Sequence, residues 1–263
     1  MRPWTKIRGW FKLALCAAGF LLPGCGTIST YQTGKTVPKG KFSFGMGTAA
    51  GLFRTKSHMV GFPLELGYGM AEVFAGYGLF DFLDFQVKMA AATPMKADNE
   101  SDDLAKFLKG GKASGGGSVR LAMAQERWGF PLSVAVGSGY YVGSMTESRT
   151  DFKTNAETFR RWTEIRDQVF FVNVSKDVFS WLTPYGAYKL YRRLTFNRTW
   201  VYGVPTAAEA INDTLQGYGA GVSFNVGRHK NTHIMLEANA IKDTDEPARH
   251  YQKQAGLGMS VEF

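Results

Sequence analysis

Few side chains in this sequence combine in a way that could act on a substrate, and the histidines are the first to consider. They are His58, His229, His233 and His250. Asp243 and Glu246 lie shortly before His250, and a carboxylate beside an imidazole can act as a general base in hydrolysis. No Gly-x-Ser-x-Gly stretch lies near the histidines. Charged side chains in solvent-exposed loops are a sufficient explanation of these residues. We therefore predict a protein that is not an enzyme, with a hydrolase kept as an alternative.

Two short stretches could hold an ion or a phosphate. The acidic run at 99–103, NESDD, offers carboxylate oxygens but lacks the spaced ligands and the fixed glycine of a calcium loop. The run at 111–118, GKASGGGS, shares only its glycine content with a phosphate-binding loop. We therefore predict no metal site and no cofactor, and we interpret both runs as solvated loops.

The N-terminal residues have the pattern of an export signal. Arg2, Lys6, Arg8 and Lys12 precede the apolar run LALCAAGFLL, which is too short to span a bilayer as a helix. The following residues, Leu22-Pro23-Gly24-Cys25, resemble the lipobox of bacterial lipoproteins, although Pro23 is unusual there. That resemblance implies a signal peptide over 1–24 and a diacylglycerol with an N-acyl chain such as palmitate on Cys25. It also implies outer-membrane sorting in a Gram-negative cell, because Gly26 and not Asp follows the cysteine.

The mature chain would keep one cysteine, Cys25, so no internal disulfide can form. Residues 25–40 are polar and without periodicity, which predicts a lipidated linker. The formal net charge of +9 falls to about five positive charges once the signal is removed. On an exported protein, dispersed basic charge favours contact with anionic lipids or lipopolysaccharide over nucleic acid.

From residue 41 onward, apolar residues alternate with glycine, serine and other small residues, which is the period of a β-strand. The segments are 41–53, 59–69, 72–92, 118–124, 131–144, 165–176, 183–196, 217–226, 232–242 and 251–263. Short connections at 70–71, 125–130, 177–182 and 227–231 alternate with long ones at 93–117, 145–160, 197–214 and 243–250. This asymmetry is typical of outer-membrane barrels. Taking 72–92 as one strand gives about ten strands, whereas a hairpin near Asp81-Phe82 gives eleven and would require a twelfth.

The last thirteen residues, YQKQAGLGMSVEF, resemble the C-terminal signature of bacterial outer-membrane β-barrels. Its positions are Tyr251, Met259, Val261 and Phe263, and the resemblance implies recognition by the barrel-assembly machinery and closure against the first strand. Closure removes sheet edges that lipid would not tolerate. We therefore predict an all-β fold, a transmembrane antiparallel up-and-down barrel over 41–263. Its apolar side chains, among them Val222, Phe224 and Leu257, should face outward.

The opposite face would line the lumen, and its ionisable residues are the candidate functional groups. They are Glu65, Glu72, Asp84, Lys88, Arg120, Arg166, Lys189, Arg193 and Glu237. They could form interior ion pairs that fill a narrow barrel, or a porin-like polar conduit for a small solute.

The prediction is an outer-membrane β-barrel lipoprotein with a structural or narrow-pore role. Its expected partners are lipopolysaccharide, outer-membrane lipids and the barrel-assembly and lipoprotein-sorting machineries, without nucleic acid. Two alternatives stay open. One is a lipid-tethered soluble barrel or sandwich that binds an apolar ligand, and the other is an outer-membrane barrel hydrolase.

Overall fold

The computed structural model describes residues 31–56, 63–94, 112–150, 157–227, 231–244 and 250–263. Ten strands account for most of these residues. They are β1 Phe42–Lys56, β2 Pro63–Phe80, β3 Leu83–Pro94, β4 Lys112–Ala124, β5 Ser133–Thr150, β6 Glu157–Ser175, β7 Leu182–Val201, β8 Val204–Val226, β9 Thr232–Asp243 and β10 His250–Glu262. A 3-10 turn, Glu126–Trp128, lies between β4 and β5.

The strands form one closed antiparallel barrel in which each strand pairs with its sequence neighbours and β10 pairs with β1. Following the paired positions around the barrel from Phe42 leads back to β1 at Arg54, twelve residues further along the strand. That offset over ten strands corresponds to a tilt of roughly 40° from the barrel axis. The predicted fold class and the count of ten strands are confirmed, and twelve strands is wrong.

The strand boundaries near the N-terminal third differ from the prediction. We expected a turn at 70–71 and one strand over 72–92, but β2 runs without interruption from Pro63 to Phe80. The hairpin instead turns at Asp81-Phe82. The two errors cancel in the strand count. Alternation alone could not place the turn, because Gly69 and Ala71 are compatible with a strand whose neighbours pack closely.

Two connections expected to be long loops are mostly strand. β7 and β8 pair from Leu182↔Phe224 up to Val201↔Val204, so only Tyr202 and Gly203 form the turn. Both have positive φ, 48° and 77°, as a two-residue hairpin turn with the twist of its strands requires. β5 and β6 likewise pair as far as Thr150↔Glu157. The polar residues of these hairpins reflect exposure to water on both faces and not irregular backbone.

The two faces of the barrel differ as predicted. On β8, Ser223 is 1% exposed, whereas its neighbours Val222 and Phe224 are only partly buried and point outward. On β10, Leu257 is 49% exposed. The apolar set therefore lies on the outside of the barrel, as a membrane-facing surface requires.

The outward apolar residues form a band with a distinct border at each end. At the end with the short turns, large aromatic side chains are exposed: Phe80, Phe82, Trp128, Phe130, Phe179, Trp181 and Phe263. About ten residues further along the strands, outward cations appear: Arg166, Arg192, Lys242 and Lys253. Ten residues of strand tilted by 40° span roughly 25 Å, the height of the apolar band of an outer-membrane barrel.

Candidate functional site

The lumen of the barrel contains the chain's own N-terminal residues. Residues 31–37 precede β1 and lie inside the barrel, where Tyr31, Gln32, Thr36 and Val37 are each at most 7% exposed. The segment leaves at the short-turn end, where the Gly40 N–H donates to the Gly78 carbonyl at 2.8 Å. We call residues 31–37 the plug. The predicted linker over 25–40 is thus built into the barrel from Tyr31 onward, and its residues 25–30 and the signal peptide lie outside the described residues.

Glu237, on the inner face of β9, holds the N-terminal end of the plug. Its Oε2 atom accepts hydrogen bonds from the Tyr31 backbone N–H at 2.8 Å and from the Tyr185 hydroxyl at 3.0 Å. Its Oε1 atom accepts from the Asn239 side-chain amide at 2.6 Å. A carboxylate that is 4% exposed requires such donors to offset its lost hydration.

Asp84, on the inner face of β3, holds the other end. Its Oδ2 atom accepts from the Val37 backbone N–H at 2.7 Å, and its Oδ1 atom accepts from Arg120 Nε at 2.8 Å. Arg120 Nη2 completes a two-point ion pair with Oδ2 at 2.5 Å. A planar guanidinium matches a carboxylate in this way, so Arg120 fixes the carboxylate that receives the plug.

Between these anchors, polar side chains satisfy the backbone of the plug. The Gly34 N–H donates to Ser175 Oγ at 3.0 Å, and the Gly34 carbonyl accepts from Gln125 Nε2 at 2.9 Å. Arg127 donates to Thr36 Oγ1 at 3.0 Å. These contacts reach strands and turns from several parts of the barrel, so the plug is held as part of the fold.

At the short-turn rim, Lys35 Nζ forms an ion pair with Asp177 at 2.5 Å, and Thr183 Oγ1 donates to the same carboxylate at 2.6 Å. Burial raises the pKa of Asp177, but the hydrogen bonds from Lys35 and Thr183 outweigh it. The pKa of Asp177 is therefore below its ordinary value. Both partners are more than a third exposed, so water screens this contact.

The Tyr31 ring lies across the seam between the first and last strands. Its hydroxyl donates to the Thr48 carbonyl of β1 at 2.9 Å. A Cβ atom at Gly47 of β1, or at Gly256 or Gly258 of β10, would lie within 3 Å of the Tyr31 side chain. These glycines therefore provide the space that the ring occupies.

The predicted lumen residues are largely inside. Glu72 and Lys88 form a buried pair at 2.9 Å, and Lys189 donates to Asn239 Oδ1 at 3.3 Å. Arg193 pairs with Asp167 through two hydrogen bonds of 2.8 and 2.9 Å. With Asp84, Arg120 and Glu237, seven of the nine candidates face the lumen. Asp167 was not among the predicted residues. Its odd residue number places its side chain on the face of β6 opposite to that of Phe170 and Val172, and this alternation could have identified it.

Arg166 was predicted in the lumen, and that prediction is wrong. Like Phe170 and Val172, it has an even residue number on β6 and therefore lies on the outer face, with 46% of its side chain exposed. It pairs with Glu164 at 2.6 Å and lies 5.0 Å from the centre of the Phe196 ring. Its position at the border of the apolar band lets the guanidinium reach water. Glu65 belongs to β2, but its side chain lies outside the described part of the structure.

Farther toward the opposite end, the lumen contains an apolar layer that the sequence did not predict. Its members are Val169, Phe171, Tyr191, Leu215 and Ile241, with Tyr141 packed against them. Nearer the short-turn end, a cavity of about 80 Å³ adjoins the plug, and Lys35, Arg120 and His233 are among its lining residues. The described part of the lumen is thus a packed core that includes this small polar cavity.

The predicted catalytic alternative gains no support from the placement of the histidines. His233 Nδ1 lies 2.7 Å from Asn225 Oδ1 at the short-turn rim. His58, His229 and the side chain of His250 lie outside the described part of the structure. Within the described ranges, no three His, Cys, Asp or Glu side chains are grouped so that they could hold a metal. Those ranges also contain no helix long and apolar enough to cross a membrane.

No protein-family model and no curated protein matches the sequence. Among solved structures, the barrel is similar to the translocator domain of the autotransporter NalP from Neisseria meningitidis. The two are 7% identical with a TM-score of 0.53, and the match covers 98% of this chain and 96% of that one. The outer membrane protease OmpT from Escherichia coli is 7% identical with a TM-score of 0.47, covering 90% of this chain and 100% of that one. Ail of Yersinia pestis is 11% identical with a TM-score of 0.38, covering 86% and 99%. At these identities the likeness concerns the fold alone.

Proposed function

We propose that this protein is an outer-membrane β-barrel with a structural role, whose lumen is closed by its own N-terminal segment. The observation that carries the proposal is the plug, which spans from Glu237 to Asp84 inside the closed barrel. The role does not require enzymatic activity, and we propose none.

The outer-membrane location is supported by the exterior of the barrel. Side chains such as Met46 at 50%, Val119 at 44% and Leu236 at 47% exposure would be unfavourable in water over so continuous a surface. Aromatic residues border this band on one side and cations on the other, as at the two interfaces of a bilayer. A soluble barrel that binds an apolar ligand would place these residues inside.

The closed state is supported by the packing of the lumen. The plug, the ion pairs of Glu72 with Lys88 and of Asp167 with Arg193, and the apolar layer around Tyr191 all lie inside the barrel. A ten-stranded barrel has little more room than an eight-stranded one, whose interior side chains fill it.

Single-channel recording in planar bilayers tests this proposal. The full mature chain, refolded and inserted, should give no discrete conductance at moderate voltage. Folding of the refolded barrel is checked separately by its slower gel migration after boiling. Discrete, reproducible openings of the unmodified protein would contradict a structural barrel.

A narrow passage that opens when the plug moves is the second candidate. It is favoured by the polar nature of the two anchors, because water can replace hydrogen bonds to Glu237 and Asp84 more readily than it replaces apolar packing. The combined substitutions Glu237→Gln and Tyr31→Ala weaken the Glu237 anchor, because they remove the carboxylate charge and the buried Tyr31 ring. Conductance in that variant, with a silent parent protein, would favour this candidate.

We further propose that Cys25 carries the lipid anchor and that the outward cations contact lipopolysaccharide phosphates. The barrel-assembly and lipoprotein-sorting machineries would then be partners during biogenesis. Metabolic labelling with radioactive palmitate tests the anchor, since the label should be lost in Cys25→Ser and retained in Cys16→Ser. Equal labelling of both variants would contradict the acylation of Cys25.

A further inference from the structure

The β7–β8 hairpin, together with the β5–β6 hairpin that pairs with it as far as Phe159↔Val201, extends well beyond β9 and β10. β7 has 20 residues and β8 has 23, whereas β9 and β10 have 12 and 13. Every residue from Val204 to Ala210 is exposed, whichever face of the strand its side chain is on. This part of the hairpin therefore projects into water beyond the border of the apolar band.

One edge of the projecting part of β8 has no paired strand in the described part of the chain. β8 pairs with β7 along its whole length, but its pairing with β9 begins only at Leu215↔Asp243. Among the described residues, none pairs with the β9 side of Val204–Asn212. Since Val204–Ala210 and Asn212 are also exposed, this edge presents a row of backbone donors and acceptors that no described strand occupies.

The backbone groups at this edge can be assigned. The Thr214 carbonyl accepts from the Thr244 N–H at 3.1 Å, which places the Thr214 backbone groups on the β9 side. Backbone groups alternate between the two sides of a strand. The N–H and C=O groups of Ala208, Ala210 and Asn212 therefore face the open edge and not β7.

The edge has few of the features that usually prevent pairing, and Pro205 and the β-bulge opposite Thr199 and Trp200 both lie near its turn. Proteins protect exposed edges with lysine, proline or inward-pointing charge. The sequence of 204–212, VPTAAEAIN, contains one charged residue, Glu209, and one proline, Pro205, next to the turn. From Ala207 onward, small side chains leave the backbone accessible.

We propose that the open edge of β8, from Thr206 to Asn212, is a docking site for an extended segment of a partner protein, which adds to the sheet as a further strand. The chemistry selects the occupant, because a row of alternating N–H and C=O groups is matched by another polypeptide backbone. The site lies beyond the membrane band on the side opposite the short turns, and it does not depend on the plug.

A second copy of this chain fits this edge less well. Two barrels in one membrane are related by an axis along the membrane normal, and their strands tilt by roughly 40° in opposite directions at the contact. Facing β8 strands would cross at about 80° and could not form a ladder. An extended segment of another protein has no such restriction.

A peptide with the sequence of Leu194–Val201, LTFNRTWV, is a suitable probe. In the structure these residues form the antiparallel ladder with the other edge of the same part of β8. Its binding to the refolded full chain in detergent micelles can be followed by fluorescence anisotropy of a terminal label. We expect saturable binding, lost when the alternate amides of the peptide that face β8 are N-methylated.

Ala210→Pro removes a backbone N–H that faces the open edge and leaves the hydrogen bonds to β7 intact. We expect this variant to bind the peptide roughly fivefold or more weakly, since one hydrogen bond is lost and the ring obstructs the approach. Ala210→Ser is the matched control and should bind like the parent. Heat-modifiable migration shows that all three chains are folded.

Three results would overturn the proposal. They are an absence of saturable binding, equal binding by Ala210→Pro and the parent, and a concentration-dependent dimer that Ala210→Pro abolishes. The last would identify a second copy as the occupant.

Discussion

Tyr31 and Gly258 are in such close contact that a Cβ atom at residue 258 would lie 2.8 Å from Tyr31 Cδ1. Gly258 is on the last strand and pairs with Gly47 of the first, which also faces Tyr31. The ring therefore packs against both strands of the seam that closes the barrel. A residue that precedes the first strand thus stabilises the contact between the first and the last.

Replacement of Tyr31 measures this contribution. Tyr31→Ala should lower the free energy of unfolding by about 3 kcal/mol, because it leaves a cavity at a side chain that is 3% exposed. Tyr31→Phe removes only the hydrogen bond to the Thr48 carbonyl and should cost about 1 kcal/mol. Urea unfolding in micelles, followed by tryptophan fluorescence, measures both. Tyr202→Ala, at a residue 74% exposed, is the control and should change little. Equal stability of Tyr31→Ala and the parent would show that the ring does not support the seam.

The complementary change is on the barrel wall. Gly258→Ala should destabilise the protein by about 1–3 kcal/mol, because the added methyl group overlaps the Tyr31 ring. Gly186→Ala is the matched control, since its added Cβ would lie 3.7 Å from its nearest neighbour, the Gly219 carbonyl oxygen. In a Tyr31→Ala background the cost of Gly258→Ala should fall towards that of the control. An unchanged cost in that background would mean that the clash is with another part of the barrel.

The Asp84 anchor allows a test of the buried ion pair. Asp84→Ala leaves Arg120, which is 4% exposed, without its partner, and it removes the acceptor of the Val37 N–H. We expect a loss of about 3–5 kcal/mol in the free energy of unfolding. The double variant Asp84→Ala/Arg120→Met should recover part of that loss, because no unpaired charge remains. If the double variant were less stable by the sum of the two single effects, the two residues would be independent.

The outer surface and the strand pattern were the parts of the fold that the sequence could predict. Period-two alternation fixes which side of a strand each residue faces, so Val222, Phe224 and Leu257 were placed correctly. Turn positions were predicted less well, because Gly69 and Ala71 are compatible both with a close-packed strand and with a turn. The β7–β8 hairpin was missed because residues 197–214 do not alternate regularly between apolar and polar side chains.

The plug could not have been predicted from local pattern. Residues 31–37 have no periodicity, and their structure depends on contacts with residues as distant in sequence as Glu237. Glycines at inward positions 47, 256 and 258 indicated free space in the lumen but not what fills it. The alternation of side chains along each strand is enough to predict which charged residues face the lumen. Arg166 was assigned to the lumen because this alternation was not followed on β6.

Arg193 and Arg166 provide a direct comparison of the inner and outer faces. Arg193→Ala leaves Asp167, which is 0% exposed, buried without its partner and should cost about 3–5 kcal/mol. Arg166→Ala removes an exposed pair with Glu164 and should change the free energy of unfolding by less than about 1 kcal/mol. Urea unfolding in the same detergent compares them. Similar costs for the two variants would contradict their assignment to opposite faces.

The Lys35–Asp177 pair should make part of the stability depend on pH. Because the folded-state pKa of Asp177 lies below its ordinary value, its contribution is fully present above pH of about 4 and is lost as the pH falls through the folded-state pKa. The difference in unfolding free energy between the parent and Asp177→Asn should therefore shrink on acidification from pH 6 to about pH 2.5. The measurement needs low salt, since both side chains are partly exposed and screening weakens the pair. In a Lys35→Met background the same difference should be smaller above pH of about 4, because the carboxylate keeps the Thr183 hydrogen bond but loses its Lys35 partner. A difference that grows as the pH falls would mean that Asp177 is stabilised in its protonated form, which is the opposite of the arrangement seen here.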